Sequence, residues 1–490
     1  MSVDLKTIHN FKIDRSLSPI QQNKILMSYL EEITEYKTSN QIIGDLSKIL
    51  EIPKKIIKFE FKYFFFLKFR NSLNTFFLKT NYSKILISYI KVILTFFYIL
   101  FFSTKKTQKK FFELIIDDVD YEDEYSRTKE VGKKFESYLI IGSLNKNSTD
   151  YYYFKYKNID LGLIFKSFTL NFISKLHKYL FFSIKNKINY IDIYLHIFKL
   201  NLKYNFLFNN FKSKFLFQER NTHTSKIKQY LFKKHGGLIT SSLQKNITQL
   251  NGPGSFCAVD VLFSLGKRTH ERLSQVGADV KKIYPVGSLY LNLNYFNKPK
   301  DQNVNSIYNY DILNLASRMD YYQDTHEKFI DDWYEHFSWL SKLSVEFPEL
   351  KIAIKQRYNN FLDEDKRLNK ILKNSNVKII IGKNDIDKQT SYNYCFNSKV
   401  LCTWSSTVAF EMIGHKIPCL IMSPDNRNES FFPNDDFNNK FKITNYDKFK
   451  RNVLNILKGK KSYDFRDSED YCLNSKNTLN SIASYLKQNK

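Results

Sequence analysis

From residue 138 onward, short apolar runs closed by turn residues alternate with longer stretches in which apolar side chains recur at helical spacing. Strands of a parallel sheet are covered on both faces, so they appear in a sequence as continuous apolar runs. The pattern predicts two successive parallel α/β layers. The predicted strands of the first layer are 138–143, 231–237, 257–266 and 282–288, and those of the second layer are 310–316, 351–354, 378–381, 399–403 and 418–422.

The chain length of 490 residues exceeds what one ordinary core accommodates and predicts several domains. We expect a helical N-terminal region over 1–135 and a first Rossmann-like domain over 136–291. A polar stretch over 292–306 predicts a linker, and a second Rossmann-like domain with C-terminal helices follows over 307–490. Open parallel sheets bind ligands beyond the carboxyl ends of their strands, so two such domains would face each other across a binding cleft.

The segment 57–110 is rich in Phe, Tyr, Ile and Leu interleaved with Lys and Arg. Within it, residues 85–102 form an apolar run that is broken by one charge, Lys91, and is just long enough to span a bilayer. A lysine near the centre of a span costs about 2.5–3.5 kcal/mol, whereas a helix in the membrane interface directs it to anionic head groups. Three structures stay open for this segment: an interfacial helix that makes an anionic membrane surface a partner, a hairpin buried in the protein, and a span.

The formal net charge is +27, but lysine is spread along the chain rather than gathered in one block. The abundance of Lys, Asn, Ile, Phe and Tyr is typical of AT-rich coding, so we do not expect nucleic acid as a partner. None of the five cysteines forms a CxxC pair, and we therefore expect neither a disulfide framework nor a zinc site. The first residues lack a secretory signal, which together with the cysteine pattern predicts a cytoplasmic protein.

The segment from Thr403 to Glu411 carries the clearest candidate chemistry. An apolar strand ends at Thr403, and a helix is predicted to begin near Thr407, with Ser405 and Ser406 between them. Hydroxyl groups and the free amides of a helix N-terminus together make an anion site, although either serine could instead only cap the helix. Glu411 lies about one helical turn further on, where a carboxylate can accept hydrogen bonds from ribose hydroxyls. The segment predicts a nucleotide site.

The residues 397–411 and 414–421, with a Ser-Ser pair, an acidic residue and the order strand, helix, Gly, Pro, strand, resemble the nucleotide-binding half of GT-B glycosyltransferases. The resemblance covers roughly residues 230–435 and is strongest to a bacterial surface-polysaccharide group that includes CDP-glycerol glycerophosphotransferases, capsule Kdo transferases and polysialyltransferases. It implies an acceptor domain followed by a nucleotide-donor domain. The His-Pro pair of that group is absent, and Lys355 and Arg357 stand in its place, where they could contact donor phosphates.

The resemblance also suggests candidates on the acceptor side. The run His235-Gly236-Gly237 resembles a His-Gly element whose histidine is the suggested general base, and its glycines would let cleft backbone approach the substrate; the alternative is a turn with an uninvolved histidine. Asp260 is a rival base or simply a capping or strand-end carboxylate. Three further candidates lie at strand ends or in a loop. Gly287 and Ser288 would form cleft backbone near the domain junction, and Arg427 could reach a phosphate.

These features predict a GT-B-type transferase that moves a sugar or sugar acid from a nucleotide-sugar donor to a surface polysaccharide or a lipid-linked acceptor. No metal motif is present, because Asp385-Ile-Asp387 lies in a polar loop, and we expect neither a metal nor a cofactor. The enzyme would be peripheral on the inner face of the cytoplasmic membrane. The alternatives are a sugar-nucleotide epimerase on the same scaffold and a non-catalytic basic protein that binds membranes or nucleic acid.

Overall fold

The computed structural model describes most of the chain. The described residues are 5–9, 11–14, 17, 19–70, 80–102, 109–146, 148–156, 159, 170–221, 224–245, 256–268, 273, 277–297, 309–316, 327–356, 365–380, 388–404, 406–424, 441–459 and 465–489. Within them, none of the helices has the length and apolar character needed to cross a bilayer.

The N-terminal region is helical. It comprises α1 (Leu5–His9), α2 (Pro19–Glu35), α3 (Lys37–Leu50), α4 (Lys54–Arg70) and α5 (Tyr82–Phe102). The side chains of α4 form part of the largest apolar cluster among the described residues, together with α2, α3 and three later helices. Of the segment 57–110, α4 is therefore buried in the protein, whereas α5, which contains the run 85–102, keeps one face in solvent.

The first sheet has seven strands, and every pairing within it is parallel. The strand order is β3-β2-β1-β4-β5-β6-β7, which places β1 and β4 side by side at the centre. The strands are β1 (Lys110–Val119), β2 (Tyr138–Gly142), β3 (Tyr151–Tyr153), β4 (Phe211–Gln218), β5 (Ile239–Leu243), β6 (Ala258–Ser264) and β7 (Asp279–Pro285). The helices that connect them are α6 (Glu122–Gly132), α7 (Leu170–Asn186), α8 (Tyr190–Asn210) and α9 (Lys226–Lys234).

The first sheet begins before residue 136, where the sequence predicted the boundary of the domain. Strand β1 and helix α6 lie within the segment 1–135 that we expected to be helical throughout. The apolar core of β1, Leu114–Ile116, is only three residues long and is followed by Asp117 and Asp118, so its pattern resembled a surface loop. Its burial depends on strands on both sides, which local sequence does not show.

The prediction of a strand over 231–237 is wrong, because Leu231 and Phe232 lie in helix α9. Ser225 caps this helix by accepting a hydrogen bond from the amide of Lys228. Ile227 and Leu231 are one helical turn apart and are both buried, so the apolar residues follow helical spacing. The strand that does follow is β5, which begins after the two glycines.

The second sheet has six parallel strands in the order β10-β9-β8-β11-β12-β13. The strands are β8 (Tyr310–Leu315), β9 (Ile352–Lys355), β10 (Lys378–Ile380), β11 (Ser398–Thr403), β12 (Cys419–Met422) and β13 (Lys442–Ile443). The helices of this unit are α10 (Glu327–Glu346), α11 (Lys366–Leu372), α12 (Lys388–Phe396), α13 (Thr407–Gly414) and α14 (Tyr446–Leu457). The five strands predicted for this layer are confirmed, and β13 extends it.

The chain returns to the first unit at its end. Helix α15 (Thr478–Gln488) packs on the first sheet, where Tyr485 contacts the rings of Phe263 and Tyr284. Of the predicted linker 292–306, Asn292–Phe296 form a helical turn, and residues 298–306 lie outside the described part of the chain. The fold-class prediction is confirmed: the protein has two parallel-sheet α/β units and an N-terminal helical extension.

Candidate functional site

Each sheet has one point at which its strand order reverses, between β1 and β4 in the first unit and between β8 and β11 in the second. At such a point the two following helices leave toward opposite faces, and a crevice opens beyond the carboxyl ends of the strands. Ligands of open parallel sheets bind in that crevice. The residues that follow these four strands therefore line the two candidate binding crevices.

In the second unit, the crevice contains the turn from β11 to α13. Thr403, the last residue of β11, donates a hydrogen bond from Oγ1 to the carbonyl of Leu315 at the end of β8 (2.7 Å), which joins the two strands at the reversal point. Ser406 occupies the N-cap position of α13 with extended backbone, and its side chain does not cap the helix. Thr407 is the first helical residue. Ser405 lies outside the described residues, so its predicted phosphate contact stays a prediction.

A buried cation lies on the same edge of this sheet. Lys355 is the last residue of β9, is 5% exposed, and directs Nζ to the carbonyl oxygen of Gln356 (3.3 Å). Its own carbonyl accepts from the amide of Ala316, beyond the end of β8 (3.0 Å), so Lys355 belongs to the carboxyl edge. The predicted phosphate contacts Arg357 and Arg427 both lie outside the described residues.

Glu411 is enclosed by protein donors. Its two carboxylate oxygens accept hydrogen bonds from the hydroxyl of Ser288 and from that of Tyr392 (2.9 Å), and the residue is 3% exposed. Burial raises the pKa of Glu411 to about 7, in spite of the two hydrogen bonds, which lower it. Each oxygen has a second lone pair for a further donor. The predicted ribose contact therefore stays a prediction. Of the two observed contacts of Glu411, the one with Tyr392 lies within the second unit and the one with Ser288 reaches the first unit.

Gly287 and Ser288 lie at the junction of the two units, where the sequence placed them. Gly287 has φ 83°, and a Cβ atom at this position would be 2.7 Å from the carbonyl oxygen of Leu473, so only glycine fits without strain. Ser288 follows the end of β7 and bonds Glu411 on α13. The carboxyl edge of the first sheet is thereby held against α13 of the second unit.

The carboxyl edge of the first sheet carries a buried ion pair that the sequence analysis missed. Glu219 follows β4, and its Oε1 accepts from Nε of Arg127 on α6 at 2.6 Å, with 3% and 7% of the two side chains exposed. Burial raises the pKa of Glu219, although the charge of Arg127 opposes this shift. The atoms Oε2 of Glu219 and Nη2 of Arg127 are buried and have no hydrogen-bond partner among the described residues. A carboxyl group with a raised pKa and a vacant oxygen is suited to proton transfer.

More charges surround this pair. Glu124 on α6 accepts two hydrogen bonds of 2.6 Å from Arg220, and Nζ of Lys245, beyond β5, is 3.4 Å from the same carboxylate. Burial lowers the pKa of Lys245, and its charge is thus partly desolvated. The ring of Tyr290 lies 4.1 Å from the guanidinium of Arg127 and 5.5 Å from Nζ of Lys245. Since Tyr290 is two residues from Ser288, the charged group extends toward the junction with α13.

The end of β1 is strained. Asp118 adopts the left-handed conformation with φ 62°, and the pairing register of β1 shifts just before it. Nζ of Lys228, 1% exposed, lies 2.6 Å from the carboxylate of Asp118 and 3.1 Å from that of Asp117. A non-glycine residue in this conformation costs about 1–2 kcal/mol, and such positions concentrate at functional sites. The reversal point of the first sheet thus has both strain and buried charge.

His235 lies at the opposite edge of this sheet. It follows α9 and precedes β5, and its ring is near Asn205 (3.3 Å) and Nζ of Lys212 (3.5 Å) at the amino ends of the strands. Burial and the two nearby lysine charges lower the pKa of His235 to about 4. Gly236 has φ 94°, and a Cβ on Gly237 would overlap the ring of Phe232, so both glycines serve the turn. Since the crevice is at the carboxyl edge, the structure does not place His235 there as a base.

Asp260 is also remote from the crevice. It is the third residue of β6 and accepts hydrogen bonds from the amide (2.8 Å) and hydroxyl (3.0 Å) of Thr240. Lys233 and Lys281 each lie 2.7 Å from it. Partial burial acts to raise the pKa of Asp260, but these bonds outweigh it and lower the pKa to about 2. So low a pKa makes Asp260 a poor base. It agrees with the alternative role stated above, a strand-end carboxylate.

A signal for the missed cluster was present in the sequence. The apolar run Phe215–Phe217 leads directly into Gln218, Glu219 and Arg220, and charged residues after a buried strand indicate the carboxyl edge. The run is preceded by long aromatic helices, and its start was not distinguishable from them. Arg127 gave no signal at all, because it lies in a helix of mainly polar residues.

Comparison with solved structures finds UDP-GlcNAc 2-epimerases and a wall teichoic acid polymerase at low sequence identity. The UDP-GlcNAc 2-epimerase from Neisseria meningitidis bound to UDP-GlcNAc is 11% identical, with 76% of this chain and 100% of that chain covered and a TM-score of 0.44. The corresponding epimerase from Methanocaldococcus jannaschii is 15% identical, with 76% and 99% covered and a TM-score of 0.40. The wall teichoic acid polymerase TagF is 10% identical, with 83% and 97% covered and a TM-score of 0.45. No family model matches the sequence, and comparison with curated proteins gave no match.

Proposed function

We propose that this protein is a glycosyltransferase that uses a nucleotide-sugar donor, with the donor in the crevice of the second sheet and the acceptor at the carboxyl edge of the first. The observation that carries the proposal is the turn from β11 to α13. It lies at the reversal point of its sheet and combines the amides of a helix start, a serine hydroxyl that does not cap the helix, and the buried cation of Lys355 on the same edge. These groups suit a diphosphate.

Glycosyl transfer requires such a site to stabilise the leaving phosphate and to accept the proton of the acceptor hydroxyl. The acceptor oxygen attacks the anomeric carbon while the bond from that carbon to the donor phosphate breaks, and the nucleotide leaves with the bonding electrons. The amides of α13 and the ammonium of Lys355 would stabilise the negative charge that develops on the leaving phosphate. The proton of the acceptor hydroxyl would pass to Glu219, whose raised pKa and vacant Oε2 suit this role. Arg127 holds that carboxyl group in position.

Donor binding can be tested before the donor is known. CMP-, CDP-, UDP- and GDP-linked sugars are screened for a rise in the melting temperature of the wild-type protein. We expect one nucleotide class to stabilise the protein, and Lys355→Met and Ser406→Val to weaken its binding at least tenfold, about 1.4 kcal/mol. Lys399→Met is the matched control, because Lys399 lies on the same sheet at its amino edge, exposed and paired with Asp311.

Two results would reject the donor site. One is the absence of stabilisation by every nucleotide class. The other is binding that both variants retain at wild-type affinity while it weakens steeply with salt, since that behaviour belongs to a non-catalytic basic protein.

Proton transfer by Glu219 has its own test. With the donor that the screen identifies, Glu219→Gln is expected to reduce kcat by about 10²–10⁴-fold and to leave donor affinity within about twofold. The control is Asp279→Asn, an exposed carboxylate on β7 of the same sheet that pairs with Lys226. If Glu219→Gln retains wild-type kcat, another group takes the proton.

A second function on the same scaffold is epimerisation of the nucleotide sugar itself. The observation that favours it is the gathering of three carboxylates at the edge of the first sheet, where Asp123 and Glu219 bond Arg127 and Glu124 bonds Arg220. Epimerisation needs groups that remove a proton from a sugar carbon and return one to the other face. Proton NMR of the donor with the enzyme and without any acceptor separates the two functions, because only an epimerase inverts a sugar carbon under those conditions.

A further inference from the structure

The outward face of α5 is apolar. After Tyr82 at the start of this helix, seven further large hydrophobic side chains on it are exposed, among them Leu94 at 60% and Phe101 at 73%. They recur every three or four residues and so form one continuous stripe along the helix. The members of this stripe are Leu86, Ile87, Ile90, Leu94, Phe97, Tyr98 and Phe101. Contiguous exposed apolar surface of this kind marks an interaction site on a folded protein.

The inner face fixes the helix in place, so the stripe is a permanent surface feature. Ile85 and Val92 are buried, Val92 within the N-terminal apolar cluster, and the hydroxyl of Ser88 accepts a hydrogen bond from Asn189 (2.8 Å). Tyr89 contacts Nδ1 of His177 on α7 (3.0 Å). The helix therefore cannot turn its apolar stripe inward without breaking these contacts.

The charges that α5 and α7 themselves carry have a single sign. No acidic residue occurs between Glu60 and Glu113, nor between Asp160 and Asp192, so α5 and most of the neighbouring α7 carry only basic charges. Lys84 and the exposed Lys91 lie on α5 itself. On α7, Phe181 and Ile184 add further exposed apolar surface. A partner of this surface must be apolar and must bring negative charge.

A cavity of about 330 Å³ opens beside the stripe. It is lined by Leu94, Thr95, Tyr98, Tyr156 and Lys199. Burial, and next the charge of Lys91, lowers the pKa of Lys199. Among the described residues, the neighbours of Lys199 are the charge of Lys91 and the ring of Tyr156, 5.7 Å from Nζ, and neither is a carboxylate. An apolar cavity with an uncompensated ammonium group would take an anion that is attached to hydrocarbon.

We propose that the α5 face docks on the surface of a bilayer that contains anionic lipid. The stripe enters the interfacial region, and Lys84, Lys91 and Lys199 contact lipid phosphates, as in other helices that lie in the membrane plane. The surface belongs to the N-terminal extension and not to the crevices of the two sheets. The docking proposal is therefore independent of the proposed function.

Vesicle flotation of the full-length protein tests the proposal. We expect binding to phosphatidylcholine vesicles that contain roughly one third phosphatidylglycerol, and at least tenfold weaker binding to pure phosphatidylcholine. Leu94→Glu combined with Phe97→Glu should abolish binding. Lys91→Glu should weaken it more than about fivefold, the effect of removing one interfacial lysine. Val345→Glu is the matched control, because Val345 is also exposed, at 58%, but lies on α10 of the second unit.

Each variant is compared with the wild type by circular dichroism and melting temperature, which should not change for exposed positions. Equal binding to neutral and anionic vesicles would overturn the proposal, as would wild-type binding by the double variant. A dimer in solution that Leu94→Glu dissociates would also overturn it, because the stripe would then be covered by a second copy of the chain.

Discussion

Helices α4 and α5 are neighbours in the sequence and similar in composition, yet they have opposite surroundings. Helix α4 contains five lysines, an arginine and a glutamate among its 17 residues, and it lies in the largest apolar cluster among the described residues. Helix α5 contains two lysines and no acidic residue among 21, and it exposes a row of large apolar side chains. The more apolar helix is thus the more exposed one.

The difference lies in what the other helices leave available. The lysines of α4 extend to partners at its edge, as Lys58 and Lys62 do to Glu31, so their stems cover apolar surface while their charges are paired. Helix α5 packs on α7 and α8 through one face only. The apolar composition of a helix therefore sets how much free energy its burial releases. Whether the helix is buried inside the protein depends on the surface that the other helices offer.

The largest effect should come from cutting one aromatic side chain on each helix. Phe61 on α4 is fully buried, so Phe61→Ala should lower the free energy of unfolding by about 3–5 kcal/mol. Phe97→Ala on α5 should lower it by less than about 0.5 kcal/mol, because Phe97 is 44% exposed. Urea unfolding followed by circular dichroism measures both. Similar losses at the two positions would show that the two helices do not differ as described.

Buried and exposed carboxylates should also differ, and for the buried Glu411 the difference should appear as a pH dependence of the free energy of unfolding. Its folded pKa of about 7 exceeds the ordinary 4.5, so the folded state holds the proton more tightly. The resulting stabilisation is complete below pH 4.5 and is lost as pH rises to about 7, by roughly 3 kcal/mol for a shift of this size. Urea unfolding of wild type and Glu411→Gln across this range should show a decline that only the wild type has. Parallel profiles would contradict it.

The smallest effect concerns Glu60, the one acidic residue of α4. It is fully buried and accepts from the hydroxyl of Ser225 (2.6 Å) and the amide of Ile227 (3.3 Å), at the start of α9. Glu60→Ala should cost about 1–3 kcal/mol, because these donors lose their acceptor. Glu35→Ala is the control, since Glu35 is half exposed and should cost less than about 1 kcal/mol. Equal costs in urea unfolding would mean that Glu60 is not needed to hold α9.

Much of the second unit could be predicted from the sequence. Strands such as β11 and β12 are uninterrupted apolar runs bounded by turn residues, so local pattern and fold agree. The strands of the first unit were harder to predict from the sequence, because charged or aromatic residues flank β1 and β4 and obscure where these strands begin and end. The residues of the candidate site differ in the same way in how well the sequence predicted them. Ser406 and Thr407 were found from the order of strand and helix, whereas Arg127 and Glu219 are 92 residues apart and meet only in the folded protein.

By itself the sequence determined the class of fold, the position of the turn from β11 to α13, and the basic, aromatic character of the segment 57–110. These are local properties, because strand and helix periods and helix starts depend on neighbours in the chain. The tertiary structure alone decided that α4 is buried and α5 exposed, and that His235 lies at the amino edge while Glu219 lies at the carboxyl edge. It also decided that Glu411 contacts Ser288. Burial, edge and partner depend on contacts between distant residues, which a local pattern does not contain.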